Sequence, residues 1–145
     1  NNIILENISN DGLDFSESSS EIFNVKLKNI GDKAISAGEN SKLEIENINI
    51  FKSFVGIASK DGSSVSVSNI ENQYVLIPYA SFKKKNEYEN PSLKINNTSS
   101  KNYQTLYYKD EYSTIIFDDV YQNEITKNIN KKIYSRNGSI KWLMI

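Results

Sequence analysis

Residues 31–50 read GDKAISAGENSKLEIENINI, and residues 56–70 read GIASKDGSSVSVSNI. Both run β-branched, then small and polar, then β-branched again. Working outward, one pattern recurs: apolar, any, apolar, any, Asn, apolar. Its copies are Ile3-Leu5-Asn7-Ile8, Val25-Leu27-Asn29-Ile30, Leu43-Ile45-Asn47-Ile48, Val65-Val67-Asn69-Ile70 and Leu93-Ile95-Asn97-Thr98. A sixth, Ile115-Phe117-Asp119-Val120, has Asp in place of Asn. The key positions 7, 29, 47, 69, 97 and 119 differ by 22, 18, 22, 28 and 22. A second short apolar stretch follows each: Leu13-Phe15, Ile35-Ala37, Ile57-Ser59, Val75-Ile77, Leu106-Tyr108 and a fainter Ile125.

Alternation of period two is a strand signal. Each copy is too short to bury its own apolar face, so the copies must stack. The spacing therefore predicts an all-β, right-handed, single-stranded parallel β-helix of about six coils, each adding about 4.8 Å. Unequal repeat lengths fall in corners, where extra residues cost little. Asn suits a left-handed corner better than other non-Gly residues. Stacked amides can also bond from coil to coil, so an asparagine ladder is expected, ending at Asp119. Ladder side chains should point inward, which makes the sequons at Asn7 and Asn97 matches by chance; those at Asn96 and Asn137 are merely permitted. The competing fold, a meander of hairpins, would join its strands through Asn-Gly or Asp-Gly. Asp11-Gly12 and Asp61-Gly62 exist, but the register does not need them as hairpin turns.

Composition narrows the chemistry. The 145 residues suit one domain, and they contain neither Cys nor His. Disulfides, thiolate metal sites, Ser-His-Asp catalysis and the usual zinc sites are thereby excluded. A net charge of −1, with Arg136 as the one arginine, argues against a nucleic-acid partner. No apolar run reaches the roughly 20 residues of a spanning helix, so no membrane insertion is expected. From Glu124 the pattern changes: Ile125, Ile129 and Ile133 recur at helical spacing, and SIKWLMI reads as a last strand. Residues 1–123 are read as coils and 124–145 as a C-terminal cap or irregular last coils. The strand-like opening suggests a fragment of a larger protein.

The stretches DGLDFSESSSEIFNVKLKNIGDKAISAGENSKLEIENINI (11–50), GIASKDGSSVSVSNIEN (56–72) and IPYASFKKKNEYENPSLKINN (77–97) resemble right-handed parallel β-helix repeat proteins. The fold is that of the pectate-lyase-like superfamily. The nearest flavour is the β-helix region of CotH-type and other bacterial surface or polysaccharide-associated proteins. The resemblance covers residues 4–120. It implies a carbohydrate theme and an extracellular or cell-surface location. Richness in Asn, Lys and Ile suggests an AT-rich genome, and a larger bacterial protein is expected.

Stacking the second strands aligns Asp14, Ser36 and Ala58 on the outer face. Ser16, Gly38 and Lys60 lie beside them, and Glu17, Glu39 and Asp61 at the next corner. Asp11, Asp32 and Lys33 fall near the preceding bend. The expected binding strip is Asp14, Asp32, Lys33, Glu39, Lys60 and Asp61. No cofactor is required, but Ca²⁺ could sit on oxygens of Asp14, Glu17, Glu39 and Asp61. In a β-elimination lyase such a metal would neutralise a uronate, and Lys60 or Lys33 would take the neighbouring proton. The resemblance also implies an arginine near that base, whereas Arg136 lies far along the chain. A glycosidase would need two carboxylates about 5.5 Å or about 6.5–9.5 Å apart, and nothing in the spacing selects a pair. The simpler reading of these Asp and Gly residues is turn chemistry. Lys83-Lys84-Lys85 lie in the long corner that stretches one repeat to 28. The late tyrosines, Tyr103, Tyr107, Tyr108, Tyr112 and Tyr121, read as caps on a widening core. The expectation is a non-catalytic carbohydrate-associated or scaffold module. A metal-assisted polysaccharide lyase, and a passive stalk that docks a second copy or the rest of its parent protein at an open end, are the alternatives.

Overall fold

A computed structural model describes residues 2–134. Its first strands, β1 (Ile3–Ile8) and β2 (Leu13–Phe15), belong to an incomplete first coil. Three long strands follow, β3 (Ser19–Ala37), β4 (Lys42–Lys60) and β5 (Ser64–Phe82). After them come β6 (Ser92–Lys101), β7 (Tyr107–Lys109), β8 (Thr114–Phe117) and β9 (Val120–Tyr121). Pairing is parallel throughout, except between β8 and β9. The result is a parallel β-solenoid of about five turns.

Each 19-residue strand is one coil, bent twice. Left-handed residues make the bends. The first corner is Asn24, Asn47, Asn69 and Asn97, with φ of 58°, 59°, 57° and 55°. The second is Asn7, Asn29, Lys52, Tyr74 and Asn102, with φ of 59°, 56°, 61°, 55° and 58°. At the first corner two consecutive outward residues, such as Glu46 and Asn47, lie between buried Ile45 and Ile48. Alternation then resumes on the next wall. Each coil thus has three walls: before the first corner, between the corners, and after the second.

This geometry corrects the repeat read from sequence. Asn7 and Asn29 lie on the second corner, while Asn47, Asn69 and Asn97 lie on the first. The anomalous spacing of 18 marks that jump. Pairing Val25 with Ile48 stacks Asn24 beneath Asn47, and the corners then recur every 22 or 23 residues, with one step of 28. A continuous asparagine ladder is not formed. Asn29 donates to Asn7 at 3.0 Å, Asn47 donates to Asn24 at 3.1 Å, and Asn97 donates to Asn69. Above Asn29 the second corner holds Lys52 and Tyr74, which lack the amide. The corner side chains also point outward rather than inward, so Asn7 and Asn97 are exposed.

Later registers shift as well. Ile57 pairs with Tyr79, not with Val75, which pairs with Ser53. The third corner is left-handed at Glu17, Asn40, Asp61 and Gly62; Glu39 stacks with Asp61 as expected and Asn40 with Gly62, whereas Glu17 is set against Asn40. Asp118 and Asp119, with φ of 44° and 65°, turn the chain back as a β8–β9 hairpin. Two consecutive positive φ values suit the hairpin twist. The solenoid therefore stops short of the sixth coil. Among the described residues, the hairpin set aside for the body of the chain occurs once, at the end of the solenoid.

Two apolar clusters hold the structure. The inner one fills the coil interior with Val25, Leu27, Ile30, Leu43, Ile45, Ile48, Val65, Val67, Leu93 and Ile95 among others, each 3% exposed or less. Burying each such side chain contributes about 1.5–3 kcal/mol before chain entropy is charged. Near the far end the interior turns polar. Buried Tyr79 accepts from Asn72 Nδ2 at 3.1 Å and bonds Thr98. Burial pushes its phenol up to about 12. The second cluster lies outside the third wall. Phe54, Val55, Ala58, Ile77, Ala80 and Phe82 pack there with Ile129 and Ile133 of helix α1 (Ile129–Tyr134). Helical spacing at the chain's end is thus correct for Ile129 and Ile133, but Ile125 stays exposed. The helix covers a side wall rather than an end. Neither it nor any other helix among the described residues is long and apolar enough to cross a membrane. The expected last strand SIKWLMI, the Asn137 sequon and Arg136 fall outside the described residues.

Candidate functional site

Two residues of the expected strip, Lys33 and Lys60, lie against Tyr134. Register places Asp14 against Ser36, and Ser36 against Ala58, as anticipated. Asp11 Oδ1 accepts the Lys33 backbone N–H at 3.1 Å. The Lys33 ammonium, in a residue only 2% exposed, bonds Asp32 at 3.3 Å and lies 4.6 Å from the centre of the Tyr134 ring. Lys84 lies 4.4 Å from the same ring, and Lys60 Nζ is 3.5 Å from the Tyr134 hydroxyl. Burial, with Lys33 nearby, lowers the Lys60 ammonium below its ordinary value. Burial raises the Asp11 carboxyl, although Lys33 opposes it. The Tyr134 phenol is raised too, by burial and then by Asp32, Asp11, Asp61 and Asp14.

Asp61 and Glu39 are taken up by the corners. Buried Asp61 accepts the backbone N–H groups of Lys84 and Lys85 at 2.7 and 2.8 Å. It thereby organises the long corner, and Asp110 does the same for Lys83, Tyr112 and Ser113. Glu39 accepts from Ser16 at 2.8 Å and pairs with Lys85. The Lys85 hydrogen bond is the main reason that its carboxyl falls to about 2. Glu17 and Asp14 stay exposed. Among the described residues no three carboxylates gather as a divalent cation would require. Of the late tyrosines, Tyr107 and Tyr108 are half-buried, whereas Tyr103, Tyr112 and Tyr121 are exposed.

A second feature was not expected from sequence. Along the first corner runs an open groove of about 540 Å³. Asn24, Asn47, Asn69 and Asn97 line it, followed by Lys26, Asn49, Glu71 and Ser99 from the adjoining wall. Isoleucines Ile3 and Ile4, 50% and 58% exposed, close one end. Two residues beyond Asn49, Phe51 stands edge-on to Tyr74 with ring centres 5.7 Å apart. The signal for this groove was present in sequence as Asn at 24, 47, 69 and 97. Attaching Asn29 to the same column hid it.

Compared with protein-family models, with curated proteins and with solved structures, the chain matches none.

Proposed function

We propose that this chain is a non-catalytic β-solenoid module that binds a carbohydrate along its side, or scaffolds one, in a bacterial surface or polysaccharide-related protein resembling the pectate-lyase-like group. One observation carries the reading. Lys33, Glu39 and Asp61 are occupied in holding corners and α1 against the third wall, while the first-corner groove with its column of asparagines stays open. An open row of uncharged hydrogen-bonding groups, repeated once per coil, suits an extended, hydroxyl-rich chain. Its charged side chains, Lys26 and Glu71, stand two coils apart.

The lyase reading keeps one supporting feature, the depressed Lys60 ammonium, since a base must be neutral to take a proton. A screen against neutral and uronate polymers, with Ca²⁺ and with chelator, separates the two readings. The same samples are followed at the ultraviolet absorbance of unsaturated sugar products. Binding without growing absorbance is expected. Absorbance that grows, and disappears in Lys60→Ala, would replace the binding module with an enzyme. Binding of no polymer would leave the passive stalk.

A further inference from the structure

The first-corner groove has a specific hydrogen-bond pattern. Asn47 donates to Asn24, and Asn97 donates to Asn69. Each pair therefore uses one Nδ2 and one Oδ1, leaving the other Nδ2 and the other Oδ1 outside that bond, on residues that line the groove. Among the described residues, the amide nitrogens of Asn24 and Asn69 have no acceptor, and the amide oxygens of Asn47 and Asn97 have no donor. Donor and acceptor thus alternate coil by coil. Like groups recur every second coil, about 9.6 Å apart at an ordinary strand spacing of about 4.8 Å.

Charge in the groove is balanced. Lys26 and Glu71 are its charged side chains, one of each sign, and they stand two coils apart. A polyanion would meet Glu71 and no compensating cluster of cations. A hydroxyl both donates and accepts, so it can satisfy an amide nitrogen on one coil and an amide oxygen on the next. A flat chain whose alternate units face opposite ways presents the same hydroxyls at every second unit. That repeat matches alternation over two coils.

We infer that the first-corner groove is a binding site for a neutral, linear, β-linked glycan, held by the free amides of Asn24, Asn47, Asn69 and Asn97. This rests on the carbohydrate-module reading and places its site. That site is not the charged strip of the third wall.

The test uses the isosteric change Asn→Asp. In Asn24→Asp and Asn69→Asp the side-chain oxygen that accepts from the neighbouring coil is kept, and Asp also tolerates the left-handed corner. The free donor is replaced by an acceptor and a negative charge, and Asn7→Asp carries the same charge. Asn7→Asp is the control, because Asn7 likewise accepts from its neighbour but lies on the second corner. Titration calorimetry of the full chain would use a β-linked glucan hexamer and a uronate hexamer. Circular dichroism would check that each variant is folded. The expected result is binding of the glucan, weakened about tenfold by each groove variant and unchanged in Asn7→Asp. Glucan binding that ignores the groove variants would overturn the site but leave the module reading standing. So would binding of the uronate in place of the glucan. Binding of neither hexamer, nor of any polymer in the broader screen, would overturn both.

Discussion

The third wall and the first corner are built by the same repeat, yet one is sealed and the other open. On the third wall the outward column changes along the stack, from Asp14 and Ser36 to Ala58 and Ala80. The neighbouring column changes likewise, from Lys33 to Val55 and Ile77. An apolar outer surface must be covered, and α1 covers it with Ile129, Ile133 and Tyr134. At the first corner every coil needs a left-handed residue, and Asn meets that need with a short polar side chain. Backbone geometry therefore keeps that edge polar and open. The lesson is that outward side chains in a solenoid follow two separate constraints. Walls are free to vary with what covers them, whereas corners are held by φ.

The sharpest way to break this comparison is to cut each apolar cluster. Ile57→Ala, at a fully buried inner position, should cost about 2–5 kcal/mol, read from the urea midpoint. Ile133→Ala should shift that midpoint much less, because α1 can undock locally while the coils stay folded. Hydrogen exchange should then rise in α1 but not in β4. Equal shifts for both variants would show that cover and solenoid fold as one unit.

Next in size is Asp61→Asn. Removing the charge from the acceptor shared by two backbone N–H groups, and adding a buried amide donor, should cost about 1–3 kcal/mol and loosen the long corner at residues 83–90. Proteolysis within that corner would report it. If cleavage stays as slow as in the parent chain, Asp61 is not its organiser.

A smaller effect concerns pH. Glu39 falls from an ordinary 4.5 to about 2 in the folded chain. Its contribution is therefore complete above 4.5 and is lost as pH drops toward 2. Melting temperature measured between these values should fall less steeply in Glu39→Gln, and the difference should shrink at high salt. Parallel curves for the two proteins would remove Glu39 from the account.

The smallest expected change sharpens the rule for corners. Lys52 and Tyr74 occupy left-handed positions that Asn fills elsewhere. Lys52→Asn should stabilise the chain by about 0.5 kcal/mol, a gain visible only in a careful denaturant series. Loss of stability would mean that the Lys52 side chain contributes more than its backbone strain costs.

How far the sequence could be read follows from these same constraints. Period-two alternation and the Asn recurrence sufficed for a parallel solenoid, and for the alignment of Leu13, Ile35 and Ile57. They did not separate the two corners, because both use the same apolar-x-apolar-x-Asn-apolar signature. Leaving out the middle wall, residues 24–29, therefore looked like a shortened repeat. Lys33, Asp61 and Glu39 were found as a cluster, but their occupation was not legible. It depends on Lys84, Lys85 and Tyr134, which lie up to a hundred residues further along.

By itself, then, the sequence determined the strand period, the stacking and the residue type at the corners. Each of these is a local matter of side-chain alternation and backbone φ. Tertiary structure decided which corner each Asn occupies and where the solenoid stops. It also decided that the helical tail lies on a wall, and which polar groups remain open to a ligand. Those outcomes depend on register between coils. Register is settled only when every inward side chain finds room at once, a condition that no single repeat can state.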